Sequence, residues 1–251
     1  MHKISIVIIT YNEESRIRPT LESVKWCDEI IVIDSCSTDK TIDICKEYSN
    51  CKVYMQPFLG YGLQKRFAVE KASHHWIFSI DADEVMTDFL RNEISSIASL
   101  PTIEPNGFYV PITTIFMKRV FKYGHDNKHL DIRFFNKNKG TFNTNNLHEG
   151  IEVEGAVSKL KNEILHYSYI NTRHYFEKFN KYSELYKDQA LKKGKKINAL
   201  QIAFRLPLEF MNQYLIRLNF LNGFPGFVWA VFSTFYVFVK SVKVYEANLN
   251  N

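Results

Sequence analysis

The chain has 251 residues, 45% hydrophobic and 24% charged, with a formal net charge of +5. That balance excludes wholesale disorder and suffices for one large domain, or one domain with an extension. The basic excess gathers in Lys187, Lys192, Lys193, Lys195 and Lys196 and, more loosely, in Lys118, Arg119, Lys122 and Lys128; such patches meet anionic lipid, nucleic acid or only water, and a solvated face is the default.

Ile4 to Ile9 is a continuous aliphatic run, the mark of a strand buried on both faces. It is short, runs into Tyr11-Asn12-Glu13-Glu14 and has no small-residue cleavage site, so no secretion signal is expected. Cys27, Cys36, Cys45 and Cys51 lack zinc spacing, and are expected as free thiols in a reducing cytoplasm. Ile17, Leu21 and Val24 share one helical face, with Pro19 tolerable in its first turn. Glu29 to Ile33 reads as a second strand ending at Asp34, and Ser37-Thr38-Asp39 as the cap of a helix bearing Ile42, Ile44 and Cys45. Lys52 to Met55 is a weak third strand, Gln64 to Ala72 a short helix and Trp76 to Ile80 a fourth strand. Strands alternating with helices in this way predict an α/β fold with a mostly parallel sheet.

Beyond it, Thr87 caps a helix bearing Leu90, Ile94 and Ile97. Gly107 to Ile112 and Asp131 to Phe135 read as strands, Asn136 to Asn146 as a loop, and Ile164 to Tyr167 as the last strand. Asn171 caps a helix repeating Tyr175, Phe179, Tyr182 and Tyr186, and Gly194 closes it. A second helix is expected from Leu200 to Leu218, bent at Pro207, then a turn from Asn222 to Gly226 and an apolar helix over about 227–244. The uncharged part of that helix, Phe224 to Val239, spans sixteen residues, short of the roughly 20 a membrane span needs. It is expected either in the core or in a membrane interface, and the lysine patch favours a peripheral membrane surface.

The chemistry gathers at strand ends. Asp81 and Asp83 follow the fourth strand one residue apart, a spacing that in extended chain points both carboxylates the same way. Two crowded carboxylates repel unless a cation joins them, and an oxygen site of this kind suits Mg²⁺ or Mn²⁺ holding a diphosphate. An isolated Asp-x-Asp is more often a solvated turn. Here Thr10-Tyr11-Asn12-Glu13 ends the first strand and Asp34-Ser35 the second, and in open parallel sheets ligands sit at these ends. No glycine-rich phosphate loop is present, so a metal on Asp83, helped by Lys65 or Arg66, would manage the diphosphate. Asp34 suits the imide N–H of uracil, or equally a helix cap.

Ser5-Ile6-Val7-Ile8-Ile9-Thr10-Tyr11-Asn12-Glu13-Glu14, Glu29 to Thr41 and Ser79-Ile80-Asp81-Ala82-Asp83-Glu84 together resemble the family 2 inverting glycosyltransferases with the GT-A fold. Leu21 to Glu29, Leu147-His148-Glu149 and His166-Tyr167-Ser168-Tyr169 look like the branch that adds glucose to the lipopolysaccharide inner core; Cys36 departs from it, where that branch usually has Gly. The resemblance implies a GT-A domain over 1–168 and a helical extension over 169–251 facing acceptor or membrane. It implies a UDP-sugar donor, a glycolipid or saccharide acceptor, a divalent metal, no nucleic acid, and a place at the cytoplasmic face of the inner membrane. Thr10, Tyr11, Asn12, Glu13, Asp34, Ser35, Arg66, Asp81 and Ala82 would hold the nucleotide-sugar, and Asp83 with His148 the metal. Glu149 is the candidate base that takes the acceptor proton, with Asp126 its rival. Arg133 could reach a phosphate or only complete an ion pair. Two readings compete: a haloacid-dehalogenase-like phosphatase with Asp81 as nucleophile and Asp83 as acid, and a non-catalytic membrane- or nucleic-acid-binding protein.

Overall fold

In the computed structural model, which describes residues 1–124, 128–143, 150–169 and 171–249, the opening aliphatic run forms β1 (Ile4–Thr10). The chain continues through α1 (Ile17–Val24), β2 (Glu29–Asp34), α2 (Thr41–Lys46), β3 (Cys51–Met55), α3 (Tyr61–Lys71), β4 (Trp76–Ser79), β5 (Glu84–Met86) and α4 (Asp88–Ala98). Then follow β6 (Gly107–Phe116), β7 (Arg119–Val120), β8 (Lys128–Asn136), β9 (Gly140–Phe142), β10 (Ile151–Val153), β11 (Val157–Lys159) and β12 (Ile164–His166). Two units result: Met1–Thr113 with His129–His166, and Thr114–Lys128 with Tyr167–Asn251.

In the first unit the strand order is β3-β2-β1-β4-β8-β6-β12-β5. β1, β2, β3 and β4 are parallel, whereas β8 runs antiparallel to β4 and β12 antiparallel to β5. Alternation along β1 decides how the sheet is covered. Ile4, Ile6 and Ile8 face Ile17, Leu21 and Val24 of α1 and Leu90 and Ile94 of α4; Val7 faces Ala68 and Val69 of α3 on the other side. Helices on both faces explain why β1 and β2 read as unbroken apolar runs. Thr87 caps α4 as expected, its hydroxyl accepting from Leu90 N–H at 3.2 Å. The expected loop from Asn136 contains a strand instead: β9 pairs antiparallel with β10. Three-residue strands are too short to show a period of two, so sequence patterning passes over them.

Glu29 locks the near end of this sheet. Its buried carboxylate accepts from Ser5 Oγ (2.7 Å), Ser73 N–H and Oγ (both 2.8 Å) and Lys52 Nζ (2.8 Å). Burial works to raise its pKa, but these donors outweigh it and hold the carboxyl at about 2, against an ordinary 4.5. A carboxyl depressed by folding stabilises the fold above its unfolded value and stops doing so as pH falls through its folded one. At about 1.4 kcal/mol per unit, this is worth about 3 kcal/mol at neutral pH. Glu29→Gln is therefore expected to lose about that much stability at pH 7 and to flatten the acid side of the urea-midpoint profile. An unchanged acid slope would show that Glu29 is not its source.

In the second unit, Asn171 caps α5 (Thr172–Lys192) by accepting from His174 N–H at 2.9 Å. α6 (Ala199–Met211) starts with a capping box between Asn198 and Gln201. The expected continuous helix to Leu218 is not found: after Met211 the chain is π-helical over Asn212–Ile216, and Leu218 takes φ 59°, which an α-helix cannot absorb. The expected turn at Asn222 to Gly226 is mostly helix. A 3₁₀ segment (Asn219–Asn222) leads into α7 (Phe224–Leu249), with Pro225 in the first turn, where its missing N–H costs nothing. Gly226 is required there, since a Cβ would lie 1.9 Å from the Asn219 carbonyl oxygen. α7 thus has 26 residues, long and apolar enough by length and composition alone to cross a membrane, while its uncharged stretch still ends at Val239, before Lys240 and Lys243. It packs on α5 through Tyr175–Phe232 and Phe179–Phe235 ring contacts and a 2.6 Å Lys243–Glu184 pair.

Candidate active site

β1 is the switch point of the sheet, with β2 and β3 to one side and β4 to the other. Thr10 lies opposite Asp34, so both strands open at one edge. The two loops that leave it are stitched together. Both oxygens of the fully buried Asp34 are engaged by Ser37, whose N–H donates to Oδ2 at 2.7 Å and Oγ to Oδ1 at 2.6 Å. Asn12 N–H donates to Ser37 Oγ, Asn12 Oδ1 accepts from Thr38 N–H, and Glu13 N–H donates to Thr41 Oγ1, each at 2.8 Å. The sequence alternatives for Asp34 were a ligand contact and a helix cap; here it fastens the loop before α2. Ser35 Oγ accepts from Gln64 Nε2 at 3.2 Å. Tyr11 stands 57% exposed at the rim, and the buried Thr10 hydroxyl has no hydrogen-bond partner among the described residues.

Cys36 lies in this loop at φ 66°, in the left-handed region. A side chain there costs about 1–2 kcal/mol that glycine avoids. Cys36→Gly is expected to raise the melting temperature by a few degrees, about 1 kcal/mol in stability. Cys36→Val should lower it, and equal effects of the two would remove strain as the explanation.

Asp81 and Asp83 leave β4 in different company. Asp81 pairs with Lys65 Nζ at 2.9 Å and with Arg133 at 3.3 Å. Burial pushes its pKa up, but Lys65 and Arg133 overcome this and hold the carboxyl well below the usual range. Arg133 reaches on to the buried Glu84 at 2.9 Å, and Glu84 Oε2 accepts from Asp81 N–H at 2.9 Å. Glu84 is raised by burial and by Asp81, with Arg133 acting against them. Asp83 Oδ2 lies 3.1 Å from Arg16 Nη1 and 3.5 Å from His166 Nε2. Arg16 also grips Glu13, through Nε at 2.6 Å and through Nη2. Burial lowers the His166 pKa, yet Asp83, Glu84 and Asp81 outweigh it and raise the imidazole above its ordinary value. Ala82 is buried between the two acids, its carbonyl accepting from Thr20 Oγ1 at 2.9 Å.

Of the residues expected from sequence, Thr10, Asn12, Glu13, Asp34, Ser35, Asp81, Ala82 and Asp83 thus occupy the ends of β1, β2 and β4 and the loops leaving them. The Arg66 guanidinium donates to Phe142 O at 3.0 Å and Thr141 Oγ1 at 3.3 Å and so ties α3 to β9. Asp126, His148 and Glu149 lie outside the described residues. Arg16, Glu84 and His166 carried no role in the sequence reading. For His166 the missing signal is register: opposite Glu84 across the β12–β5 pair, it comes beside Asp83.

Asp83 and His166 are the described residues that would hold a divalent ion, and the carboxylate–imidazole set fits one. No group of three or more metal-ligating side chains occurs among the described residues. Such an ion would supply positive charge to a bound diphosphate, with Asp83 its carboxylate anchor.

Residues 5–153 match Glycosyl transferase family 2. A lipopolysaccharide core biosynthesis glycosyltransferase of Rhizobium meliloti, LpsC, is 29% identical over 249 residues, 97% of this chain and 92% of that protein. A Rickettsia typhi glycosyltransferase is 32% identical over 100% of this chain and 89% of its own length. Among solved structures, the Pyrobaculum calidifontis mannosyltransferase PcManGT, in complex with GDP-Man and Mn²⁺, matches at TM-score 0.54 with 14% identity, covering 97% of this chain and 87% of that one. S. aureus TarS 1-349 with UDP-GlcNAc matches at TM-score 0.51, also with 14% identity, covering 99% and 92%. At such identities these two show the fold, the GT-A arrangement. The matched segment carries Asp34, Asp81, Asp83 and Arg133, and the Rickettsia likeness runs from end to end. The chain belongs to glycosyl transferase family 2.

Proposed function

We propose that this glycosyltransferase moves a hexose, glucose first among them, from a UDP-sugar to a hydroxyl of a lipopolysaccharide core or similar surface glycan, with inversion and metal assistance. The observation that carries this reading is the convergence of Thr10, Asp34, Asp81 and Asp83 at the carboxyl ends of three parallel strands. The name of the Rhizobium meliloti relative supports the acceptor class, and the ligands of the two structural neighbours support a nucleotide-sugar donor and a divalent metal.

Tyr11, exposed at the rim, offers a face on which a uracil ring can stack, and the buried Thr10 hydroxyl beside it in sequence has no hydrogen-bond partner among the described residues. Lys65 and Arg133 bring positive charge to the end of β4, near the site of a diphosphate. A divalent ion held by Asp83 and His166 would neutralise charge on the departing diphosphate. The acceptor oxygen forms its bond to the anomeric carbon on the face opposite the breaking bond to UDP, so configuration inverts. Glu149, or Asp126 in its place, takes the acceptor proton. The phosphatase alternative loses its nucleophile, because Asp81 is held between two cations and the family is that of a transferase.

Membrane contact at the cytoplasmic face has support in α6, where Leu200, Phe204 and Leu208 are 70%, 68% and 67% exposed at four-residue steps. One helix face is thereby apolar and open, just after the Lys192–Lys196 patch. The deciding experiment is a donor screen with Mn²⁺ and Mg²⁺, read as nucleotide release with and without a lipopolysaccharide acceptor. UDP-sugars should be turned over, and acceptor should accelerate release. GDP-sugar preference or acceptor-independent phosphate release would sink the reading.

A further inference from the structure

We propose that a cavity of about 520 Å³ inside the C-terminal unit is a subsite for an anionic saccharide, a sugar carrying phosphate or carboxylate. It lies within α5, α6, the π-helical turn and α7, and uses none of the strand-end residues. Its volume falls within the range of about 300–1,000 Å³ usual for small-molecule sites. Two features select the ligand class, and the proposal draws on the transferase reading only for the expectation that a saccharide acceptor exists.

The first feature is charge. Arg205, Arg217 and Lys240 line the cavity with one acid, Glu209. That acid already accepts from Gln213 Nε2 at 2.9 Å, which fixes the amide with its oxygen free. Gln213 is buried, and its Oε1 has no donor among the described residues. Burial, with Arg205 and Lys195 nearby, pushes the Lys240 ammonium below the ordinary lysine value. The cavity therefore gains from an incoming anion and offers an acceptor to a hydroxyl beside it.

The second feature is the wall. Tyr182, Trp229 and Tyr236 line the same space, and Lys240 sits 5.0 Å over the Tyr236 ring. Aromatic faces are apolar bodies with polar tips, suited to the C–H face of a pyranose with its hydroxyls at the edge. An acyl chain would gain from the rings but not from three cations. A bare phosphate would gain from the cations but leave the rings and Gln213 Oε1 unused.

The test titrates the full chain with glucose 6-phosphate, glucuronic acid, glucose and inorganic phosphate, by calorimetry and by fluorescence of Trp229. Both charged sugars should bind at least tenfold tighter than glucose or inorganic phosphate, with affinity falling as salt rises. The double variant Arg205→Gln/Lys240→Gln should weaken them at least tenfold, whereas Arg205→Lys alone, which keeps the charge, should retain most of the binding. Glucose or inorganic phosphate binding as tightly as glucose 6-phosphate overturns the proposal, as does a folded double variant that binds like the wild type. Absence of saturable binding by either charged sugar overturns it too. UDP titrated in parallel separates this site from the strand-end site. Charged-sugar binding without UDP binding leaves the cavity standing and counts against the donor reading, and the reverse pattern does the opposite.

Discussion

Arg133→Ala is expected to cost about 3–5 kcal/mol of folding stability, because it removes the cation between two carboxylates and leaves one of them buried without its counter-charge. Asp81 would keep Lys65 at 2.9 Å. Glu84 has no such second cation among its recorded ion pairs, and its side chain is only 1% exposed. It would respond by taking up a proton, the direction in which burial and Asp81 already push it. That response caps the loss, so the lower part of the range is expected near pH 5 and the upper part near pH 8. At roughly 2–4 °C per kcal/mol for a chain of this size, the melting temperature should fall by about 6–20 °C. Glu84→Gln on the Arg133→Ala background should recover part of the loss by removing the stranded charge, and a double-mutant cycle measures how much. A cost below about 1 kcal/mol would mean that Arg133 is a surface-like pair, free to serve ligand instead of fold.

This role was only half legible in the sequence. Arg133 lies in the strand-like run Asp131 to Phe135, so its place in the sheet could be read, but its pairing with Glu84 spans 49 residues and leaves no local trace. The same holds for His166, which comes beside Asp83 only through the register of the β12–β5 pair. β1, β2 and β4 were legible because both faces of each are covered, which demands an unbroken apolar run. The contact of Arg66 with β9 left no local trace, since a cation next to Lys65 on a helix has no sequence mark saying which way it points and the β9–β10 pair was itself too short to read. The start of α7 was misread because Pro225-Gly226 signals a turn in most contexts. Here Pro occupies the first helical turn, and Gly226 lets the backbone of Asn219 approach. The two acids keep different company: Asp81 lies between Lys65 and Arg133, and Asp83 between Arg16 and His166.

Asp83→Asn is expected to show the opposite balance, with transfer falling on the order of 10²-fold or more while stability changes by about 1–2 kcal/mol at most. The contrast follows from the partners. Removing the Asp83 charge leaves Arg16 its fork on Glu13, so no cation is stranded. His166, raised chiefly by Asp83 against the effect of burial, returns toward its neutral form and needs no counter-charge. What is lost is the strand-end carboxylate beside His166, with which it would hold a divalent ion while Arg16 kept Glu13. A ligand that binds only the folded state stabilises it in proportion to its excess over Kd, about 2.7 kcal/mol at a hundredfold excess. Mn²⁺ added with UDP should therefore raise the melting temperature of the wild-type protein and leave that of Asp83→Asn nearly unmoved. His166→Gln should lose the same shift in part, since one carboxylate remains. If Asp83→Asn keeps both the Mn²⁺-dependent shift and turnover within tenfold of wild type, the ion is held elsewhere, and Asp83 serves only to fasten Arg16 and His166 to the end of β4.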